Sequence, residues 1–453
     1  MPLLVSTRAH AAILGARAYV YGYPVVVMEC SRVLANAADT ERGFGAPTNT
    51  LRHLAQVPDH TFRAVVRPNQ DTLYSVSFLD LSRGPLALHL PEVTERRFVS
   101  FTFLDAWTNA FATAGSRNTR AKEGGGNAAR TYLVVGPDDA GTHGHADVVR
   151  APTKMVWVIG RTELFGPSDL PRAREIQAGV SLRPLRLAGT SEPPAADPWP
   201  RKLEVGTDPQ ALVRAMPALD FFRELCRLLA EYPPDGDERI LSALARVGIR
   251  PGTFEPEALP AHVRAGLEDG WRLGRRGIAL ARTAASARPG WGPPPWIPMG
   301  VYGRSYLVRA LIAHLGLGAN PREEAIYMNA ARDGYGRYFD SSRHDYVLRF
   351  EPGGLPPVRS FWSVSLYGAD GFFVANPAAR HVLGSHDPLA RAPDGAVEIL
   401  VQRERPNDPR NWLPAPAGRF ELTLRMYWPE RALLEGRWTP PRILVRPLSS
   451  RGG

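Results

Sequence analysis

The chain is poor in two reactive residue types. It has two cysteines, Cys30 and Cys226, neither in a Cys-x-x-Cys setting, which excludes a disulfide framework and a cysteine-based zinc site. Its three lysines, Lys122, Lys154 and Lys202, leave little room for a Schiff-base site, and no Gly-x-x-x-x-Gly-Lys-Ser/Thr loop is present. There is no Gly-x-Ser-x-Gly nucleophile elbow, and no Rossmann fingerprint, because alternating βαβ units are missing. No run reaches the ~18 consecutive apolar residues of a membrane span. Val20 to Met28 is apolar, but Pro24 interrupts it and the ordered regions of a secretory leader are lacking. From the sequence alone we expect a soluble, cytoplasmic protein without a membrane span.

Arginine, proline and glycine are plentiful. The net charge of +10 rests almost wholly on arginine. A nucleic-acid-binding protein would concentrate that charge in a patch, whereas here the tightest groups are Arg275-Arg276 and Arg403 with Arg405. We therefore expect a solvated arginine-rich surface and no nucleic-acid partner. The 43 prolines and 42 glycines favour many turns and short strands. At 453 residues the chain exceeds the roughly 250–300 residues at which one core divides, so more than one domain is expected.

Periodicity divides the chain into a helical segment (1–47), a β domain (48–200), a helical insert (201–295) and a second β domain (296–453). In the first, the pattern predicts a helix over 8–35 broken near Gly22 and Pro24. The insert carries helices near 209–231, bent at Pro217, 236–247 and 256–287. The last part opens with a helix over 303–315, then strands near 325–331, 345–350, 358–367, 396–402 and 419–428. In the final strand Phe420, Leu422, Leu424 and Met426 face one way and Glu421, Thr423 and Arg425 the other, so one face enters a core and the other meets water or a neighbour.

The segment Arg67-Pro68-Asn69-Gln70-Asp71-Thr72-Leu73-Tyr74-Ser75 places polar groups at the mouth of a strand, with Tyr74, Val76 and Phe78 on one face. A loop entering a rigid sheet suits binding or chemistry; an Asx-turn at Asn69 or Asp71 is the plainer reading. A second strand, Arg97 to Leu104, runs into Asp105-Ala106-Trp107-Thr108-Asn109, and Arg117 follows. If the two strands are neighbours, Asp71 and Asp105 can divide into acid and base opposite Arg117. The rival is an Asp105–Arg117 ion pair with Asp71 capping a turn. Tyr74, Asn69 and Asn109 complete the candidate site. His143-Gly144-His145 with Asp147 reads as a solvated turn, so no metal is assigned, and no cofactor is assigned either. In the last third, Asn376, Arg380, Asn411 and Trp412 either line an apolar pocket with polar anchors or form a rigid plug in which the indole N–H finds a backbone carbonyl.

These boxes carry a resemblance. Pro68-Asn69-Gln70-Asp71-Thr72-Leu73-Tyr74-Ser75, Asp105-Ala106-Trp107-Thr108-Asn109 and Gly115-Ser116-Arg117-Asn118-Thr119 resemble the bacterial domain of unknown function 1254. Phe361 to Tyr367, Asn376-Pro377, Asp394-Gly395, Asn411 to Pro416 and Arg425-Met426-Tyr427-Trp428-Pro429 resemble domain of unknown function 1214. The resemblance implies two β-sandwich or jelly-roll-like domains joined by helices, a mainly β fold. Many such relatives look exported, and this chain departs from them. A faint echo between halves points the same way: Leu104 and Phe111 against Leu366 and Phe373, and Leu90-Pro91 before Arg97-Phe98 against Leu413-Pro414 before Arg419-Phe420. Two functional readings stand. One is a small-molecule-binding protein or enzyme with a polar cleft in the first β domain; the other is a non-catalytic assembly module whose boxes are turn and core signatures. Any homo-oligomer is expected through sheet edges or the N-terminal helix.

Overall fold

The structure, a computed structural model, describes residues 4–37, 45–63, 66–118, 126–141, 143–144, 147–185, 208–292 and 297–448. Helix α1 (Arg8–Ala37) opens the chain. The first β region comprises β1 (Arg52–His53), β2 (Thr72–Asp80), β3 (Leu86–Leu90), β4 (Val99–Asp105), β5 (Ala110–Gly115), β6 (Arg130–Val135), β7 (Asp147–Arg150) and β8 (Met155–Glu163), then helix α2 (Leu170–Gly179) and β9 (Ser181–Pro184). Five helices follow: α3 (Pro209–Ala215), α4 (Ala218–Glu231), α5 (Glu238–Ala245), α6 (Ala261–Ser286) and α7 (Tyr306–Leu315). The second β region comprises β10 (Ala325–Ala330), β11 (Asp345–Phe350), β12 (Trp362–Gly368), β13 (Val382–Gly384), β14 (Val397–Gln402), β15 (Trp412–Pro414) and β16 (Phe420–Tyr427), then the short helix α8 (Arg431–Leu434) and β17 (Arg442–Arg446).

The described strands form four sheets, ordered β1-β2-β8-β4-β5 and β7-β6-β3-β9 in the first region, β10-β16-β12-β13 and β15-β14-β11-β17 in the second. Adding eight to each strand number from β2 to β9 reproduces the second region, neighbour for neighbour. The hand of pairing agrees too: β6 with β7 and β14 with β15 are parallel, and the remaining pairs are antiparallel. The two regions are thus one topology used twice, with β1 as an extra edge. In each, both sheets share one apolar core, Leu79, Leu88, Phe101, Phe103, Val134 and Val158 in the first and Met328, Leu348, Val364, Ile399 and Leu424 among others in the second.

Helix α1 corrects one expectation, since it continues through Gly22 and Pro24. An interior proline costs about 3 kcal/mol, but Val25, Val26, Val27 and Met28 beside it are wholly buried, and each such side chain returns about 1.5–3 kcal/mol. Gly22 is there for approach: a Cβ would lie 2.6 Å from a methyl of Leu225 on α4. Helix α1 is also the one described helix long and apolar enough to cross a membrane, yet 78% of its apolar window is buried inside the protein. The bend expected at Pro217 is a full break between α3 and α4. Helix α7, placed with the second β domain on sequence grounds, packs Ala310 and Ala313 into the helical core with α1, α4 and α6.

Candidate functional site

One face of the first sheet is divided by polarity. Alternation puts Val76 and Phe78 of β2, Met155, Trp157 and Ile159 of β8 and Leu104 of β4 on the side away from the inter-sheet core, where the helices cover them. Further along the same face the residues turn polar: Tyr74, Arg161, Ser100 and Thr102. Thr102 Oγ1 donates to Asn320 Oδ1 at 2.8 Å and Ser100 Oγ to Glu324 Oε2 at 3.0 Å, so the loop leading into β10 closes over it. The second region offers a matching face, since Glu421, Thr423, Arg425 and Tyr427 alternate with the core-facing Phe420, Leu422, Leu424 and Met426. The polar face of the last strand therefore meets the first β region.

The two faces repeat one arrangement. Arg161 on β8 stands opposite Tyr74 on β2 and Ser100 on β4. Arg425 on β16 stands opposite Tyr327 on β10 and Ser363 on β12. The corresponding strands thus carry the same Tyr–Arg–Ser row. Contacts across the junction are reciprocal. Three residues before each tyrosine is a carboxylate, and Asp71 accepts from Ser363 Oγ at 2.6 Å as Glu324 accepts from Ser100 Oγ. Arg161 donates to Asn320 Oδ1 (2.7 Å) and the Gly318 carbonyl (3.1 Å) of the other region; Arg425 donates to the Arg67 (2.9 Å) and Pro68 (3.3 Å) carbonyls in return. This is the self-complementary pattern of a two-fold interface, built within one chain. Gly318 must be glycine: its φ is +88°, and a Cβ would lie 2.6 Å from Ile159 Cδ1.

Beside the rows lies a cavity of about 430 Å³, within the ~300–1,000 Å³ usual for small-molecule sites. Its polar wall holds Arg67, Tyr74, Arg161, Tyr327, Arg425 and Tyr427; its apolar wall is Val308, Leu311, Ile312 and Leu315 of α7, with Ile297 and Met299. The arginines are deeply placed, with Arg161 6% and Arg425 3% exposed. Arg67, in a left-handed backbone (φ 55°), forms an ion pair with Glu421. Such strain in a non-glycine residue is held only where surroundings fix it; the Arg67 N–H bonded to the Gly371 carbonyl at 2.9 Å is one such restraint.

Two families match the chain. The family described as Protein of unknown function (DUF1254) matches residues 48–184, and that described as Protein of unknown function (DUF1214) matches residues 324–431. The chain carries both domains, in that order. No curated protein matches it. Among solved structures, the VPA0106 protein from Vibrio parahaemolyticus is similar over 96% of this chain and 99% of its own, at 22% identity and a TM-score of 0.67, a likeness of fold. An uncharacterised Burkholderia cenocepacia protein aligns over 96% of this chain and 90% of its own at 13% identity, with a TM-score of 0.49.

The DUF1254 boxes do not converge on one cleft. Strand β8 lies between β2 and β4, so the two are not neighbours. Thr72, next to Asp71, pairs with Glu163, and Asp105 pairs with Val156, seven residues apart along β8, about 23 Å at ~3.3 Å per residue. Asp71 is at the junction, where burial raises its pKa against the opposing pull of Arg425 and the Ser363 hydroxyl. Asn69 makes the Asx-turn, accepting from Asp71 N at 2.6 Å, and also donates to Tyr427 OH at 2.9 Å. Asp105 is at the far end, accepting from the backbone and side-chain N–H of Asn109 at 2.8 and 2.9 Å. Burial pushes its carboxyl up to about 6, with the Asn109 bonds opposing. Arg117 pairs with Glu324 at 2.7 Å and not with Asp105. Of the sequence candidates, only Tyr74 lines the junction cavity.

The DUF1214 loop residues hold backbone. Trp412 donates to the Gln402 carbonyl at 2.9 Å, Asn411 to the Ala390 and Glu398 carbonyls, and Arg380 to the Pro409 and Trp412 carbonyls. Asn376 binds both the N–H and carbonyl of Arg380. None of these four residues lines the junction cavity. His143 pairs with Asp139 at 2.8 Å, while His145 is outside the described residues; among those described, no group of three His, Cys, Asp or Glu is placed to hold a metal. The cavity residues that sequence reasoning missed are Arg67, Arg161, Tyr327, Arg425 and Tyr427. The spacing Asp71-x-x-Tyr74 repeated as Glu324-x-x-Tyr327 was the available signal.

Proposed function

We propose that the protein binds a small molecule in the cavity between its DUF1254 and DUF1214 units, each taken as a two-sheet sandwich. The observation that carries this is the wall composition: buried arginine and tyrosine on one side, α7 aliphatics on the other, around about 430 Å³. That mixture is what orients and desolvates an amphipathic ligand. Binding is favoured over acid–base catalysis because Asp71 and Asp105 lie at opposite ends of the sheet. The assembly reading draws support from Arg117, Asn376, Asn411 and Trp412, all engaged in protein contacts; it accounts for these boxes and leaves the cavity unexplained.

A thermal-shift screen of small organic molecules tests the proposal. A ligand at a hundred times its Kd adds ~2.7 kcal/mol to stability. Leu311→Trp on α7 fills the cavity from its apolar wall and should remove the shift of any hit while leaving the unliganded melting temperature within a few degrees. A hit whose shift survives Leu311→Trp would put binding elsewhere.

A further inference from the structure

Charge balance narrows the ligand class, a step that rests on the junction cavity being a binding site. Of the four arginines in its wall, Arg288 is exposed to water and Arg67 is neutralised by Glu421. Arg425 is electrostatically coupled to Asp71, and its own N–H groups are directed to Ser365 Oγ, Tyr367 OH and two backbone carbonyls. Arg161 differs. Its hydrogen bonds go to one amide oxygen, one carbonyl and the Tyr74 hydroxyl, out of the five N–H donors a guanidinium carries, and the groups beside it are the uncharged hydroxyls of Tyr327, Tyr74 and Tyr427. No described carboxylate forms an ion pair with it. A buried cation without a counter-charge costs several kcal/mol, and its two-dimensional fork fits a carboxylate.

We infer that the cavity takes a small monocarboxylate with an apolar body, the carboxylate against Arg161 and the tyrosine hydroxyls and the body against Val308, Leu311 and Leu315 of α7. One buried arginine without a carboxylate partner suits one negative charge; a dianion such as a phosphate monoester would bring a second, unmatched charge into the same buried place. The aliphatic wall excludes a wholly polar occupant. The duplication explains why a cation is spare. Both units present a Tyr–Arg–Ser row whose arginine donates to the loop of its partner unit, but only Arg425 has a carboxylate, Asp71, acting on it.

Calorimetric titration of the full chain with octanoate, 1-octanol and octylamine tests this, since the three share a chain and differ in head charge. Octanoate should bind at least tenfold more tightly than the alcohol and the cationic amine. Arg161→Gln should bring octanoate down to the level of octanol, and Leu311→Trp should remove both. Equal affinity for octanoate and octanol in the unaltered chain would overturn the carboxylate assignment and leave the binding cavity standing. Failure of all three to bind, or octanoate binding indifferent to Leu311→Trp, would overturn the cavity reading as well. The comparison of head groups needs no variant, so a poorly folding Arg161→Gln does not weaken it.

Discussion

Among single residues, Asp105 makes the most direct physical statement. It is 4% exposed, and its carboxyl is pushed up to about 6 from 3.8 chiefly by burial. A carboxylate raised on folding favours the folded state at low pH, where both states are protonated or the folded one preferentially so. That contribution is lost as pH rises from about 4 through about 6. We predict that Asp105→Asn, which keeps the shape and removes the charge, gains on the unaltered protein over this window. At ~1.4 kcal/mol per pKa unit the gap should widen by up to about 3 kcal/mol and be flat above pH ~7. Urea denaturation at pH 4, 5, 6 and 7 measures it, and a gap that does not change with pH would remove the argument. The sequence marked Asp105 for a position at a strand end with Asn109 four residues on. It could not show that β8 separates β4 from β2, because strand order is set by long-range pairing and not by local pattern.

Elements were legible where periodicity was strong. The alternation of Phe420, Leu422, Leu424 and Met426 is β16, and the pattern over 256–287 is α6, starting at Ala261 after a short 3-10 turn. In helix α1, Gly22 and Pro24 read locally as breakers, whereas tertiary burial keeps the helix continuous. The same rule makes the seam between α1 and α6 testable. Gly266, Gly270 and Gly274 recur every four residues on the α6 face toward α1, and a Cβ at Gly270 would stand 2.5 Å from the Ala12 carbonyl oxygen and 2.7 Å from Ala16 N. Backbone cannot move aside as a side chain can, so Gly270→Val should cost at least the ~1–3 kcal/mol of ordinary overpacking. Gly277 in the same helix has nothing within 4 Å of its Cβ position, so Gly277→Ala should stabilise by about 0.5–1 kcal/mol through helix propensity. Chemical denaturation of both variants checks the pair. A Gly270→Val variant as stable as the unaltered chain would mean that the seam is looser than these distances show, and a destabilising Gly277→Ala would remove the propensity argument.

The whole molecule is two copies of one β unit placed face to face, with helices over the half of the first sheet that the second unit leaves bare. Sequence gave only a weak image of this. Topologically equivalent positions coincide in few residues, Phe98 with Phe361, Ser100 with Ser363, Tyr74 with Tyr327 and Arg161 with Arg425. The Leu104–Leu366 echo falls on corresponding strands but one residue out of register, and the Leu90–Leu413 echo matches β3 to β15, which do not correspond. What the copies share is strand order and the alternation of faces, which many side chains satisfy. The architecture predicts how the chain fails when cut. A fragment of residues 1–200 keeps α1 but loses α4, α6 and α7, leaving part of the apolar face around Val76, Phe78, Trp157 and Ile159 open to water. It also loses Asn320 and Glu324, the partners of Thr102, Arg161, Ser100 and Arg117. An exposed apolar face of this kind marks an aggregation site, so the fragment should be insoluble or oligomeric alone and recover solubility when co-expressed with residues 201–453. Size-exclusion chromatography and urea unfolding read the result. A fragment that stays monomeric and unfolds cooperatively without its complement would show that the first unit is self-sufficient and that the helices and the second unit are additions to it.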